Sequence, residues 1–219
     1  MNAVVSTITQ LLPAEIITTD PEQITLYSQD VFTVGPPICA VVRPRNIDEV
    51  QALVRACLER GTPIVTRGGG MSYTSGYIAN APDSVLIDMA SMDAIVEVNL
   101  EDRYVTVEAG CSWQKLYEHL APLGVRTAYW GTLSGRYATV GGGLSQNSIF
   151  WGSGQRGTAA DNVLSVSVVT GKGDLLETGS AAQQHAAPFT RHFGPDLTGV
   201  FLGDCGSLGI KVRATLPLL

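Results

Sequence analysis

The chain has 219 residues, of which 45% are hydrophobic and 16% charged, a composition typical of an ordered globular protein. Its formal net charge is −6, and the sequence has no basic stripe that could neutralise the phosphates of nucleic acid. A negatively charged surface is also not attracted to anionic membranes. We therefore expect no nucleic-acid partner. No window approaches the ~18 uninterrupted apolar residues that a membrane span requires, so no span is expected either. The length predicts one large domain or two small ones.

The four cysteines are widely spaced and form no C-x-x-C pair: Cys39, Cys57, Cys111 and Cys205. This spacing argues against a metal knuckle or a redox motif, so no metal site is expected and the thiols are expected to be reduced. The N-terminal residues lack the basic and apolar regions of a signal peptide. The sequence therefore predicts a soluble, cytoplasmic protein.

The clearest predicted helix covers residues 46–61. Asn46 is a suitable N-cap with Glu49 three positions later, apolar residues recur at helical spacing, and Gly61 ends the pattern. Two shorter helices are predicted at residues 112–121 and 196–201.

Strands are predicted where short runs are rich in β-branched residues. These runs are residues 63–65, 85–87, 95–98, 104–107, 163–170 and 210–216. In residues 163–170 apolar and polar positions alternate, which predicts one apolar face, and the turn at residues 171–174 predicts a hairpin. Short strands with few helices indicate an α+β fold.

Two boundaries are predicted in the chain. The proline-containing segment 34–37 separates an N-terminal strip, residues 1–35, from the main domain, residues 36–219. A second boundary near residues 109–112 divides the main domain into two lobes, about 36–109 and about 110–219.

Three separated glycine clusters are the main candidate for a binding site, at residues 67–76, 131–157 and 203–209. Consecutive glycines at 68–70 let a ligand approach main-chain N–H groups, and Arg67 and Ser72 could add a charge and a hydroxyl for a pyrophosphate. A tight turn between strands is the alternative for any one cluster. Three clusters indicate that several segments converge on one extended ligand. A valine at Gly69 is expected to abolish binding by occupying the ligand's path.

Other motifs compete with this interpretation. The Gly-Lys-Gly at 171–173 lacks the spacing of a phosphate loop, and Gly141–Gly143 lack a dinucleotide-binding βαβ context. Trp130 and Trp151 fit either a core position or packing against a planar ligand. Asp88 and Asp161 have no partner at catalytic spacing, and we assign both to structure.

The ordered motifs along the chain resemble the FAD-binding domain of the vanillyl-alcohol oxidase (PCMH) type. The matching segments are residues 27–30, 40–44, 48–50, 67–72, 86–89, 107–110, 138–142, 157–163, 194–199 and 203–210. Within that family the chain is most similar to the branch of D-lactate dehydrogenases and glycolate oxidase large subunits.

The resemblance implies a two-lobed α+β domain with FAD lying extended between the lobes. The cofactor-binding residues that it implies are Arg67, Gly68, Gly69, Gly70, Met71, Ser72, Gly76, Thr132, Leu133, Ser134, Gly135, Thr139, Val140, Gly141, Gly142, Ser145, Cys205, Gly206 and Ile210. Many relatives attach the flavin through a histidine where this chain has Met71, so the FAD is expected to be non-covalent. Cys205 stands where a glutamate is common.

The activity implied by the resemblance is hydride transfer from a 2-hydroxy acid, such as lactate or glycolate, to flavin N5. No catalytic residue is assigned in this chain. Full-length relatives carry a substrate or cap domain after the last strand, so a cap domain or a partner subunit is expected to supply the substrate pocket. The alternative is a non-catalytic flavin-binding module or accessory subunit.

Overall fold

The computed structural model describes residues 2–129, 131 and 134–219, and their fold is α+β, as predicted. The helices are α1 (Ala3–Leu11), α2 (Pro21–Tyr27), α3 (Ile47–Arg60), α4 (Trp113–Leu120), α5 (Val140–Ser145), α6 (Ser153–Arg156) and α7 (Leu197–Val200). The strands are β1 (Ile17–Thr18), β2 (Ala40–Val42), β3 (Ile64–Arg67), β4 (Val85–Asp88), β5 (Ile95–Asn99), β6 (Tyr104–Glu108), β7 (Ser165–Val169), β8 (Leu175–Glu177) and β9 (Ile210–Pro217).

The first sheet has the strand order β1-β2-β4-β3, with β2 and β3 parallel to β4. Helix α3 covers it and follows the predicted signals at both ends. The Asn46 side chain accepts a hydrogen bond from the Glu49 amide, and Gly61 adopts a left-handed φ of 62°. The predicted helices α4 and α7 are also confirmed.

The N-terminal residues belong to this first sheet and its core. Val4 and Ile8 of α1 are buried in the same cluster as Leu53 of α3, and β1 pairs with β2. Residues of the predicted strip 1–35 thus pack as part of the first lobe. They do so because the apolar face of α1 is buried by contact with α3.

The second sheet is antiparallel with the order β5-β6-β9-β7-β8. The β7–β8 hairpin is confirmed, but β7 is buried on both faces. On its polar face Ser167 Oγ donates a hydrogen bond to Glu177 (2.6 Å). Because β5 and β6 pair within this sheet, the chain changes sheets between β4 and β5, ahead of the predicted boundary near residue 109.

The two lobes share a hydrophobic core. Val169 of β7 and Val212 of β9 pack in the same cluster as Val50 of α3. Away from this core, Gln51 and Arg55 donate hydrogen bonds to the Gly173 carbonyl oxygen (2.7 and 2.8 Å). The lobes are therefore held against one another both in this core and at the β7–β8 turn. Among the described residues, none forms part of a helix with the length and apolarity needed to cross a bilayer.

Candidate cofactor site

A cavity of about 400 Å³ lies between the two lobes. The residues that line it come mainly from the three glycine clusters. They are Thr66, Gly68, Gly69, Gly70, Met71, Ser72, Tyr73, Thr74, Gly76, Tyr77, Met89, Ala109, Ser134, Ala138, Thr139, Gly141, Gly142, Gly143, Ser145, Gln146, Ser148, Ile149, Phe150, Cys205, Gly206, Gly209 and Lys211. The volume falls in the range of small-molecule sites.

The short helix α5 forms the centre of this cavity wall. The Thr139 hydroxyl caps it by accepting a hydrogen bond from the Gly142 amide (3.2 Å). The amides of Val140 and Gly141 donate to the carbonyl oxygens of Cys111 and Ala109, both at 2.8 Å. These bonds fix the start of α5 against the end of β6. Three consecutive glycines form helices poorly, so tertiary contacts hold this helix in place.

The first glycine cluster packs against the start of α5. A Cβ atom on Gly68 would clash with the Thr139 hydroxyl, and one on Gly69 would clash with the Tyr137 carbonyl oxygen. These glycines therefore permit close approach between two protein segments. This corrects the expected reason for the effect of Gly69→Val: the added side chain would strike the protein's own backbone.

The third glycine cluster packs against the end of α5. The Gly203 amide donates to the Leu144 carbonyl oxygen (3.0 Å), and the Cys205 amide donates to that of Ser145 (2.9 Å). Both acceptors lie in the last turn of the helix, whose carbonyl groups lack intrahelical partners. The three clusters, distant in sequence, are thus brought together around one helix.

Main-chain donors are available in the first cluster. Within the described part of the chain, the amides of residues 69–73 donate to no acceptor, and all five residues line the cavity. The described lining residues include no aspartate or glutamate. Unpaired amides beside a cavity without carboxylates fit an anionic group such as a pyrophosphate.

Arg67 has a different position from the one expected of a phosphate ligand. Its guanidinium lies over the rings of Tyr27 (4.6 Å) and Tyr77 (5.3 Å), and its side chain is not among those lining the cavity. The Tyr77 hydroxyl donates to the Gly70 carbonyl oxygen (2.8 Å), and burial raises the pKa of Tyr77. Arg67 and Tyr77 therefore brace the glycine loop from behind.

Most of the predicted binding residues line the cavity. They are Gly68, Gly69, Gly70, Met71, Ser72, Gly76, Ser134, Thr139, Gly141, Gly142, Ser145, Cys205 and Gly206. Arg67, Gly135, Val140 and Ile210 do not line it. Val140 and Ile210 are buried in the two hydrophobic cores, and the carbonyl oxygen of Gly135 accepts a hydrogen bond from the Gln114 amide. Thr132 and Leu133 lie outside the described residues, as does Trp130.

Several lining residues carried no local sequence signal. Ala109 and Met89 sit just after strands, where nothing distinguishes them from core residues. Tyr73, Ile149 and Phe150 do lie within the first and second glycine clusters, but they were not among the predicted binding residues. Trp151 is 68% exposed and makes an edge-to-face contact with Phe150.

Lys211 was not predicted to line the cavity. It does so while forming a buried ion pair with Asp204. Their Nζ and Oδ1 atoms lie 2.6 Å apart, and the side chains are 3% and 2% exposed. Burial lowers the pKa of Lys211, while the hydrogen bond to Asp204 raises it in part. Asp204 also accepts hydrogen bonds from the amides of Gly206 (3.0 Å) and Leu208 (3.3 Å). The pair ties the third glycine cluster to β9.

Residues 38–179 match a protein-family model described as an FAD binding domain. Because this match covers more than half of the chain, the protein belongs to that family of FAD-binding domains, and FAD is its cofactor. The predicted resemblance is confirmed.

Individual relatives agree with this assignment. The chain is 34% identical over 178 residues to the mitochondrial D-lactate dehydrogenase [cytochrome] of Arabidopsis thaliana, covering 81% of this chain and 30% of the relative. It is 30% identical to the glycolate oxidase subunit GlcD of Bacillus subtilis, covering 82% of this chain and 37% of the relative. The chain therefore spans about a third of the length of these relatives.

Solved structures share the fold. An alkyldihydroxyacetonephosphate synthase aligns over 100% of this chain and 44% of its own, with a TM-score of 0.86 at 20% identity. A p-cresol methylhydroxylase aligns over 100% of this chain and 43% of its own, with a TM-score of 0.84 at 21% identity. At these identities the likeness shows the fold alone.

Proposed function

We propose that this chain is the FAD-binding portion of a flavin-dependent oxidoreductase that acts on a 2-hydroxy acid of the lactate or glycolate type. The observation that carries the proposal is the convergence of three glycine clusters on one cavity with unpaired main-chain donors. The substrate class is supported by the names of the D-lactate dehydrogenase and glycolate oxidase relatives.

In this proposal the amides of residues 69–73 bind the pyrophosphate. Residues of α5 and its N-cap, including Thr139, Gly142 and Ser145, line the flavin and ribityl part, and Cys205 and Gly206 form a further wall. Bound FAD supplies an acceptor for a hydride at N5, and the chain's own residues bind and orient it. Lobes that share a core keep these residues in fixed positions.

The cofactor is proposed to be held without a covalent bond. Met71 lines the cavity at the position that the family resemblance gives to an attaching histidine, and its thioether cannot form that bond. Acid precipitation of the flavin-loaded protein should release the yellow colour into the supernatant. Colour that stays in the pellet would contradict non-covalent binding.

Oxidation of a hydroxy acid also needs a group that accepts the hydroxyl proton. The described residues that line the cavity include no histidine, aspartate or glutamate, and the one lysine is paired with Asp204. We propose that a cap domain or a partner subunit provides the proton acceptor and the substrate pocket. Exposed apolar side chains on cavity-lining residues, Tyr73 at 70% and Ile149 at 72%, support a covered cavity mouth.

The same lack of a proton acceptor favours a second candidate, a non-catalytic flavin-binding module.

The cytoplasmic location stays a prediction, since the Arabidopsis relative is named as mitochondrial.

The test is anaerobic mixing of the FAD-loaded chain with D-lactate or glycolate, with dithionite as the control for complete reduction. Bleaching of the flavin absorbance by a hydroxy acid would support the oxidoreductase. Binding of FAD without bleaching would favour the module or a missing partner. If FAD does not bind in titrations, the proposed function is wrong.

A further inference from the structure

The buried pair of Asp204 and Lys211 stands in the wall of the cavity and has no assigned role. We propose that Lys211 donates hydrogen bonds from its ammonium to the pyrophosphate of bound FAD, and that Asp204 holds the ammonium in position. This inference rests on the proposed binding of FAD in this cavity.

The ammonium of Lys211 has N–H donors that Asp204 does not use. A lysine ammonium carries three N–H donors, and Asp204 is its single hydrogen-bond partner within the described residues. The side chain is 97% buried by the protein but borders the cavity. A buried donor without a partner is unfavourable, so an acceptor on the ligand would stabilise the complex.

The charges match one part of FAD. Lys211 is the one residue with a charged side chain among the described residues that line the cavity. The pyrophosphate is the charged part of FAD. A charge-assisted hydrogen bond between an ammonium and a phosphate oxygen is stronger than one between neutral groups. Lys211 would thus add a cation to the amides of residues 69–73.

Asp204 keeps the buried Lys211 side chain charged and in position to bind a ligand. An unpaired buried ammonium would lose its proton or destabilise the fold, whereas the contact at 2.6 Å favours the charged form. The amides of Gly206 and Leu208 donate to the same carboxylate and fix its orientation. The ammonium is therefore positioned before the cofactor arrives.

The test uses the double variant Asp204→Asn with Lys211→Met, because Lys211→Met alone would leave a buried carboxylate without its partner. The control is Lys172→Met in the exposed β7–β8 turn, which replaces a lysine that does not line the cavity. Titrations are made with FAD and with riboflavin, which lacks phosphate, at one fixed salt concentration. Circular dichroism confirms that the variants are folded.

We expect the double variant, whose net charge equals that of the wild type, to bind FAD about tenfold more weakly and to bind riboflavin as the wild type does. Lys172→Met should behave as the wild type with both ligands. An unchanged Kd for FAD, or an equal loss of FAD and riboflavin binding, would overturn the role of Lys211. Failure of the wild-type chain to bind FAD would instead overturn the proposed function.

A second measurement needs no variant in the pair. In the wild-type chain labelled with ¹³C-lysine, added ADP should shift the side-chain signal of Lys211 and leave those of Lys115 and Lys172 in place. The latter two are assigned with Lys115→Met and Lys172→Met. An unshifted Lys211 signal at saturating ADP contradicts the contact with the pyrophosphate.

Discussion

Gly69 shows how a single missing side chain shapes the cavity wall. Its α-carbon lies so close to the Tyr137 carbonyl oxygen that a methyl group cannot be accommodated without moving the backbone. We expect Gly69→Ala to destabilise the fold by about 1–3 kcal/mol, as overpacking does elsewhere, and to weaken FAD binding. Chemical denaturation and FAD titration measure the two effects.

The matched control for that substitution is Gly154→Ala. Gly154 lies in α6, and a Cβ atom there would meet nothing within 4 Å. Alanine at an exposed helical position should stabilise slightly, by about 0.5–1 kcal/mol. Equal stability and FAD affinity in the two variants would contradict the close approach at Gly69.

The cysteines should differ in reactivity. Burial raises the pKa of Cys57 to about 12 and that of Cys111 to about 11, so both thiols stay protonated at neutral pH. Cys205 is exposed and lines the cavity. A thiol reagent should therefore modify Cys205 before Cys57 and Cys111, and FAD should slow that reaction. Mass spectrometry identifies the labelled sites, and labelling of Cys205 at an unchanged rate would place FAD elsewhere.

The binding residues that could be predicted from sequence are those with a local signature. Consecutive glycines mark a close approach, although the sequence did not show that at Gly69 the approaching group is the chain itself. Lys211 carried no such signature, because a lysine in a strand is usually solvated. Its burial depends on the ion pair with Asp204, which lies in the third glycine cluster just before β9.

At the scale of the element, α5 depends on its cap. The Thr139 hydroxyl accepts a hydrogen bond from the Gly142 amide and also lies against Gly68. Thr139→Val keeps the shape but removes the acceptor, and we expect a loss of about 1 kcal/mol in the free energy of unfolding with weaker FAD binding. Thr139→Ser keeps the hydroxyl and should stay close to wild type. If valine and serine behave alike in thermal unfolding, the cap has no such role.

Helix α3 could be predicted from the sequence, whereas helix α5 could not. Asn46, the apolar periodicity and Gly61 are local signals, so α3 is predictable to within a residue. Gly141, Gly142 and Gly143 disfavour a helix locally, yet α5 forms because β6 and the third glycine cluster bind its ends. Contacts between distant segments decided the second case.

At the scale of the molecule, the two lobes should unfold together. Val169 and Val212 of the second sheet share a core with α3 of the first lobe. We expect a single denaturation transition, with far-ultraviolet circular dichroism and tryptophan fluorescence coincident. The fluorescence reports on the second lobe, because Trp113 is buried there. Two separated transitions would mean that the lobes are independent.

The division of the chain between the lobes was less predictable than its elements. The sequence indicated a change near residue 109, where β6 ends. Strand pairing puts β5 and β6 in the second sheet, since β6 pairs with β9 about a hundred residues later in the chain. A pairing of that range leaves no mark on the local sequence around either strand.

The proposed function depends on the claim that three distant segments close on one FAD molecule. Hydrogen–deuterium exchange of the chain with and without FAD tests it directly, because it reports on the amides of each segment separately. We expect slower exchange on FAD addition in residues 69–73, around α5 and in residues 203–209, with no change in the β7–β8 turn at residues 171–174. Protection limited to one of the three segments, or its appearance elsewhere, would contradict the claim.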